Sequence, residues 1–219
     1  MTPRNITILG RWVGAMLVAE AVGFSAAMGL GRGVYTLVGG EPPGLAGVVF
    51  TAGLSALAGA VEGACLGAGQ WLVLRRVFGG VRPAAWIGAT ALGGALAWAL
   101  GMTAGMNGPD EWPGPIVVVG ALIASGLALG AVLGGAQAWV LRGRRGAAGR
   151  WLLANAVGWM LGLLFAYGGA AVTRDGDPAA FTIAVLAASG AAMALIPALS
   201  TGRVLHRCLA DARRPGAGT

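Results

Sequence analysis

Six stretches of this chain, residues 8–31, 45–74, 86–106, 116–141, 151–172 and 181–205, are apolar almost throughout. Each is near or above the ~20 residues that a helix needs to cross a bilayer. In hydrocarbon every backbone N–H and C=O must be satisfied within the segment, which leaves the α-helix as the form such runs can take. The connections are short and rich in turn residues: Glu41-Pro42-Pro43-Gly44, Asn107-Gly108-Pro109-Asp110 and Asp175-Gly176-Asp177-Pro178. Only 11% of the residues are charged, against about a quarter in soluble domains, so a water-facing globule is excluded. The expected fold is all-α: a polytopic bundle of six transmembrane helices in one domain, 1–219.

Every basic residue is an arginine. The formal charge of +7 is not a nucleic-acid footprint, because the arginines gather at the ends of apolar runs rather than in a stripe among aromatics. Arg4 and Arg11 precede or open the first run. Arg75, Arg76 and Arg82 fill the second connection, and Arg142, Arg144, Arg145 and Arg150 the fourth. Arg203, Arg207, Arg213 and Arg214 close the chain. The alternate connections hold Arg32 and Arg174 beside Glu41, Asp110, Glu111, Asp175 and Asp177. The positive-inside rule then places both termini in the cytoplasm. Ser25-Ala26-Ala27 offers a small-x-small cleavage site, yet the first run exceeds a usual signal core, and the expectation is that it is retained.

The stretch Gly63-Ala-Cys-Leu-Gly67-Ala-Gly-Gln70-Trp71-Leu-Val-Leu74-Arg75 returns as Gly130-Ala-Val-Leu-Gly134-Gly-Ala-Gln137-Ala-Trp139-Val-Leu141-Arg142. Aligned on Leu74, Leu141 and Leu205, the even-numbered runs carry Gly67, Gly63 and Gly59; Gly134, Gly130 and Gly126; and Ala198, Ala194 and Gly190. Gln70 and Gln137 correspond to Thr201. The odd-numbered runs align on Trp12, Trp86 and Trp151. Every fourth position is then small: Ala15, Ala19, Gly23, Ala27 and Gly31; Ala89, Gly93, Ala97, Gly101 and Gly105; Ala154, Gly158, Gly162, Ala166 and Ala170. The pattern reads as a helical hairpin used three times, at approximately 6–76, 84–145 and 150–208, with pseudo-threefold symmetry. Lipid is as apolar as leucine, so small residues that let backbones meet are what brings helices together there.

On these residues the chain resembles six-helix bacterial membrane proteins sharing a Gly-x-x-x-Gly-x-x-Gln-Trp helix end. The resemblance implies the fold and a bacterial inner-membrane location, and carries no activity. Three hairpins also match mitochondrial carriers in outline, but the Pro-x-acidic-x-x-basic signature of that family is absent here, and the assignment is rejected.

Departures from the repeat are where function is expected. Glu20 corresponds to Gly94 and Trp159, and Glu62 to Leu129 and Met193. Both acids fall well inside their runs, within roughly two turns of the same depth, with no arginine at that depth. An ionised carboxylate there costs at least a few kcal/mol, so at least one is expected to be held as the neutral acid. Two readings stay open: a protonatable pair or cation site facing a polar cavity, or two neutral acids hydrogen-bonded across a tight hairpin. Gln70, Gln137 and Thr201 are candidate polar lining, and are expected to bond between helices at roughly 0.6 kcal/mol each; Asn155 reads likewise. Trp12, Trp71, Trp86, Trp139 and Trp151 are expected to form an interfacial aromatic belt, with Trp112 at the other face. Pro197 interrupts the sixth run.

Catalytic patterns are lacking: His206 is the one histidine, neither Cys65 nor Cys208 belongs to a framework, and no strand-loop-helix phosphate motif is present. The expectation is a non-enzymatic protein without metal or cofactor, and without nucleic acid as a partner. Its function is either small-solute or ion transport through Glu20 and Glu62, or a structural or accessory role in a larger membrane complex. Its partners would be the lipid bilayer and either other membrane proteins or a second copy of itself.

Overall fold

The computed structural model describes residues 3–106, 114–143, 147–174 and 176–211. Among them the chain forms six helices and no strand: α1 (Pro3–Leu37), α2 (Leu45–Leu74), α3 (Pro83–Met106), α4 (Pro115–Val140), α5 (Ala147–Val172) and α6 (Ala179–Asp211). All six are long and apolar enough to cross a membrane. Asn107 to Trp112, Arg144, Arg145, Asp175, Arg213 and Arg214 lie outside the described residues, as do the surroundings of Arg4, Gly105 and Ala170.

The helix ends follow local chemistry. Gly44 precedes α2 at φ 63°, a left-handed conformation that a side chain would strain. Pro115 opens α4, where its missing N–H is one of those a helix start leaves unbonded in any case. The helices α1 and α6, at 35 and 33 residues, run past the apolar segments because polar flanks extend them.

Each helix packs against its neighbours in sequence, and α1 meets α6, so the bundle closes into a ring; among the described residues no other pair of helices brings its backbones together, and further contacts run between side chains across the ring. The contacts are backbone-close where small residues were expected. A Cβ added at Gly63 would stand 2.5 Å from Thr90 O, and one at Gly67 would stand 3.0 Å from Ile87 Cα. Gly59 and Gly94 abut one another's carbonyl oxygens. Gly126, Gly130 and Gly134 of α4 meet α5 at Met160, Asn155 and Ala156. The odd-helix positions face the other neighbour: Gly23 meets α2 at Glu62 and Cys65, Gly93 meets α4 at Leu133, and Gly158 meets α6 at Pro197. Pro197 also withholds a backbone donor from Met193 O. That carbonyl faces Gly162 of α5, where a Cβ would come within 2.6 Å of it.

Packing is unequal along the ring. At the end holding the start of α1, the side chains of Trp12, Trp86, Trp151, Leu74, Leu141 and Leu205 are fully buried. Toward the other end, no described residue is buried between 115 and 125 of α4, 28 and 37 of α1, or 181 and 193 of α6. Gly31 and Gly190, small positions of the same stripes, have nothing within 4 Å of an added Cβ, although Gly169 of α5 is still packed against Ser189 of α6. The ring is thus packed tightly at one end and more loosely at the other.

Candidate functional site

The packed end is built on the three tryptophans that align the odd helices. Trp12 and Trp86 each set an edge against Trp151, with ring centroids 5.6 and 5.5 Å apart. Each indole N–H donates to an even helix: Trp12 to Thr201 Oγ1 at 3.0 Å, Trp86 to Gln70 Oε1 at 3.1 Å and Trp151 to Gln137 Oε1 at 2.8 Å. Gln137 Nε2 donates in turn to Gln70 Oε1 at 2.8 Å and to Thr90 Oγ1 at 3.0 Å. Thr201 donates to Pro197 O at 2.6 Å, and Thr90 to Trp86 O at 2.9 Å.

This layer corrects one expectation. Buried side chains cannot anchor at headgroups, so Trp12, Trp86 and Trp151 form the seal of the bundle rather than a belt. Trp139, 68% exposed, keeps an outward position with Arg142 over its ring. Asn155 is also corrected: its amide donates to Trp151 O of its own helix, since its Cβ is pressed against Gly134 of α4. Gln70, Gln137, Asn155 and Thr201 are all buried and hydrogen-bonded. They lie together in the tightly packed end of the ring.

Glu20 and Glu62 sit apart from that layer, about 12 Å away along the bundle by helical rise. Their backbones are brought together by Gly23, one turn beyond Glu20. A Cβ there would stand 3.0 Å from Glu62 O and from Cys65 Cβ. Only glycine lets α1 come so near at that point. The two carboxyls lie side by side across the contact. Glu62 is carried between Gly59 and Gly63, whose close approach to α3 brings Trp98 alongside; the indole N–H of Trp98 is turned to the Glu62 carboxyl. Phe24, one turn past Glu20, meets Trp98 with ring centroids 6.2 Å apart and planes tilted by 49°.

Glu20 and Glu62 are 5% and 8% exposed. Among the described residues both oxygens of Glu20 and Oε2 of Glu62 meet no hydrogen-bond donor outside the pair, and the buried indole N–H of Trp159 has no acceptor. Trp159 occupies on α5 the position that Glu20 occupies on α1. Leaving such atoms without a partner costs about 1–3 kcal/mol each. The polar groups of the packed end are paired almost completely. Glu20, Glu62 and Trp159 lie beyond it, toward the more loosely packed half.

Phe24, Trp98, Trp159 and Thr90 belong to these layers but were not singled out from sequence. A signal existed for two of them: Phe24 and Trp98 each stand twelve residues after the aligning tryptophan of their helix. No protein-family model, curated protein or solved structure matches the chain.

Proposed function

We propose that this chain is a multi-pass membrane protein, non-enzymatic, that moves a proton-linked small solute or ion by way of Glu20 and Glu62. The carrying observation is the acid pair itself: two buried carboxyls side by side, with no other donor to either oxygen of Glu20 or to Oε2 of Glu62 and no arginine at their depth. Acids inside a membrane span without a basic partner are costly for a scaffold to carry and are what a proton-exchanging site requires. The three-hairpin reading is supported by the like environments of Trp12, Trp86 and Trp151, and of Leu74, Leu141 and Leu205. With both termini in the cytoplasm, as the arginines direct, the packed end faces inward and the looser end outward.

The test is proton movement in vesicles. Reconstituted wild-type protein enclosing a pH dye should acidify or alkalinise the lumen under an imposed gradient, and Glu20→Gln or Glu62→Gln should abolish this at equal incorporation. Identical traces from wild type, both variants and empty vesicles would refute the reading.

A second reading, an accessory subunit, is favoured by one feature. An apolar groove of about 540 Å³ runs between α1 and α2 on the outside of the ring, floored by Gly14, Ala15 and Gly69. It would accept side chains from another helix. Purification in mild detergent with a stoichiometric partner, and no flux, would favour it.

A further inference from the structure

We infer that the groove between α1 and α2 seats one chain of an anionic phospholipid, whose phosphate is held by Arg11 and Arg76 at the packed end of the ring. The site is separate from Glu20 and Glu62 and does not depend on the transport reading.

The groove, about 540 Å³, is lined by Gly14, Ala15, Val18 and Val22 of α1 and by Gly69 and Leu72 of α2, among others. Its two glycines act differently. Gly69 lets the helices meet along the floor: a Cβ there would stand 2.6 Å from that of Ala19 and 3.0 Å from Ala15 O. Gly14 has nothing within 4 Å of an added Cβ, so no contact between helices calls for it. Its missing side chain leaves the groove open. Val18, Val22 and Leu72 stand exposed along the edges. From Gly14 to Val22 the groove runs about 12 Å along the helix, most of the ~15 Å depth of hydrocarbon in one leaflet. That shape takes a slender apolar chain lying along the bundle.

One end of the groove is basic. Gly69 packs against Ala15 and Ala19, and Gly23 against Glu62 and Cys65. This antiparallel register sets Arg11 level with Arg75. Arg11 is three and four residues before Gly14 and Ala15, and Arg76 is four after Leu72, so each shares a helix face with the groove lining. The N–H groups of Arg75 and Arg76 still bond to Trp71 O and Val73 O, both at 3.0 Å, which carries the helical turn past Leu74. Arg75 lies over the ring of Trp71, 5.0 Å from its centroid, at the rim. All three arginines are exposed.

That charge decides the occupant. No acid occurs between residues 1 and 19 or between 63 and 109, so neither helix end nor their neighbouring connection supplies a carboxylate. A second copy docking by the same end would bring more arginines, because its segments 142–151 and 203–210 hold arginines and no acid. Like charges would meet. An anionic phospholipid offers both a chain for the groove and a phosphate for the guanidinium groups. Free phosphate answers only the second.

Full-length protein in uncharged detergent is titrated with phosphatidylglycerol, or with phosphatidylcholine of the same chains, and bound lipid is counted by native mass spectrometry. One phosphatidylglycerol per chain is expected, at about tenfold or more higher affinity than phosphatidylcholine. Arg11→Gln and Arg76→Gln should each weaken it about fivefold, whereas Arg142→Gln, at the same end but on α4, should not. Gly14→Leu fills the groove and should weaken binding about fivefold or more. Gly53→Leu, adding the same bulk where an added Cβ also meets nothing within 4 Å, should leave it unchanged. Gel-filtration elution checks folding, and Val18→Trp, at an exposed edge of the groove, serves if Gly14→Leu fails to fold. Equal affinity for the two lipids, displacement by inorganic phosphate, or binding unchanged in both arginine variants and in the groove variant overturns the inference. A lipid-free complex with a second copy or another protein, dispersed by Gly14→Leu, would give the groove to that occupant and overturn it as well.

Discussion

Replacing Gly63 by alanine tests whether backbone contact holds α2 to α3. The new Cβ would lie 2.5 Å from Thr90 O, 2.9 Å from Ala91 Cα and 3.0 Å from Thr90 C. All three are backbone atoms of a facing helix, so no rotamer change can relieve them. The helices would have to part by about 1 Å to regain ordinary separation. That movement would also loosen the Gly59–Gly94 and Gly67–Thr90 contacts on either side. Overpacking of this kind costs about 1–3 kcal/mol. Against it stands the intrinsic helix gain from glycine to alanine, about 1 kcal/mol. Gly53→Ala, on the same helix with nothing within 4 Å of its added Cβ, carries that gain alone. The two variants should therefore differ by about 2 kcal/mol, some thirtyfold in the unfolding equilibrium. Titration of mixed micelles with SDS, followed by tryptophan fluorescence, measures the difference. Equal midpoints, or a Gly63→Ala protein more stable than Gly53→Ala, would refute the close-approach argument.

Three further outcomes follow from the same geometry. Gln137→Leu removes bonds to Trp151, Gln70 and Thr90, and should lower stability in the SDS titration by about 2 kcal/mol at roughly 0.6 per bond. Thr201→Val, which strips the acceptor of Trp12, a long contact to Met16 Sδ and bonds within α6, should cost less. On the proposed orientation, a C-terminal green fluorescent protein fusion should fluoresce and an alkaline phosphatase fusion should be inactive; the reverse pattern would contradict it. Gly162→Ala should destabilise more than Gly168→Ala, because the first meets Met193 O at 2.6 Å and the second meets nothing within 4 Å.

The helices were legible because length, apolarity and turn residues all mark the same limits; α2 runs from Leu45 to Leu74 as the sequence indicates. The seams were legible too, since only small side chains permit the approach seen at Gly23, Gly63, Gly93 and Gly130. Helix rotation was not. Segments apolar on every side have no polar face to orient them, so whether Glu20 would meet Glu62 was set by packing alone. The same ambiguity hid the role of the tryptophans: Trp12 and Trp139 both stand near a helix end, yet one is buried and the other exposed. Nor could the stripes tell where contact ends. Gly31 and Gly190 continue the pattern to positions that meet no neighbouring helix, while Gly169, close by Gly190, packs against Ser189.

The register that puts the two acids together can be measured with a disulfide. Cys65 lies across from Gly23, whose added Cβ would stand 3.0 Å from that of Cys65, a few tenths of an ångström inside the usual spacing of about 3.5–4.5 Å. In a Cys208→Ser background, Gly23→Cys should form an intramolecular bridge to Cys65 under mild oxidation in membranes, detected by mass spectrometry of the linked peptides. Gly29→Cys, with nothing near it, should not. Bridging from position 29 and not from 23 would shift α1 along α2, separate Glu20 from Glu62, and contradict the account.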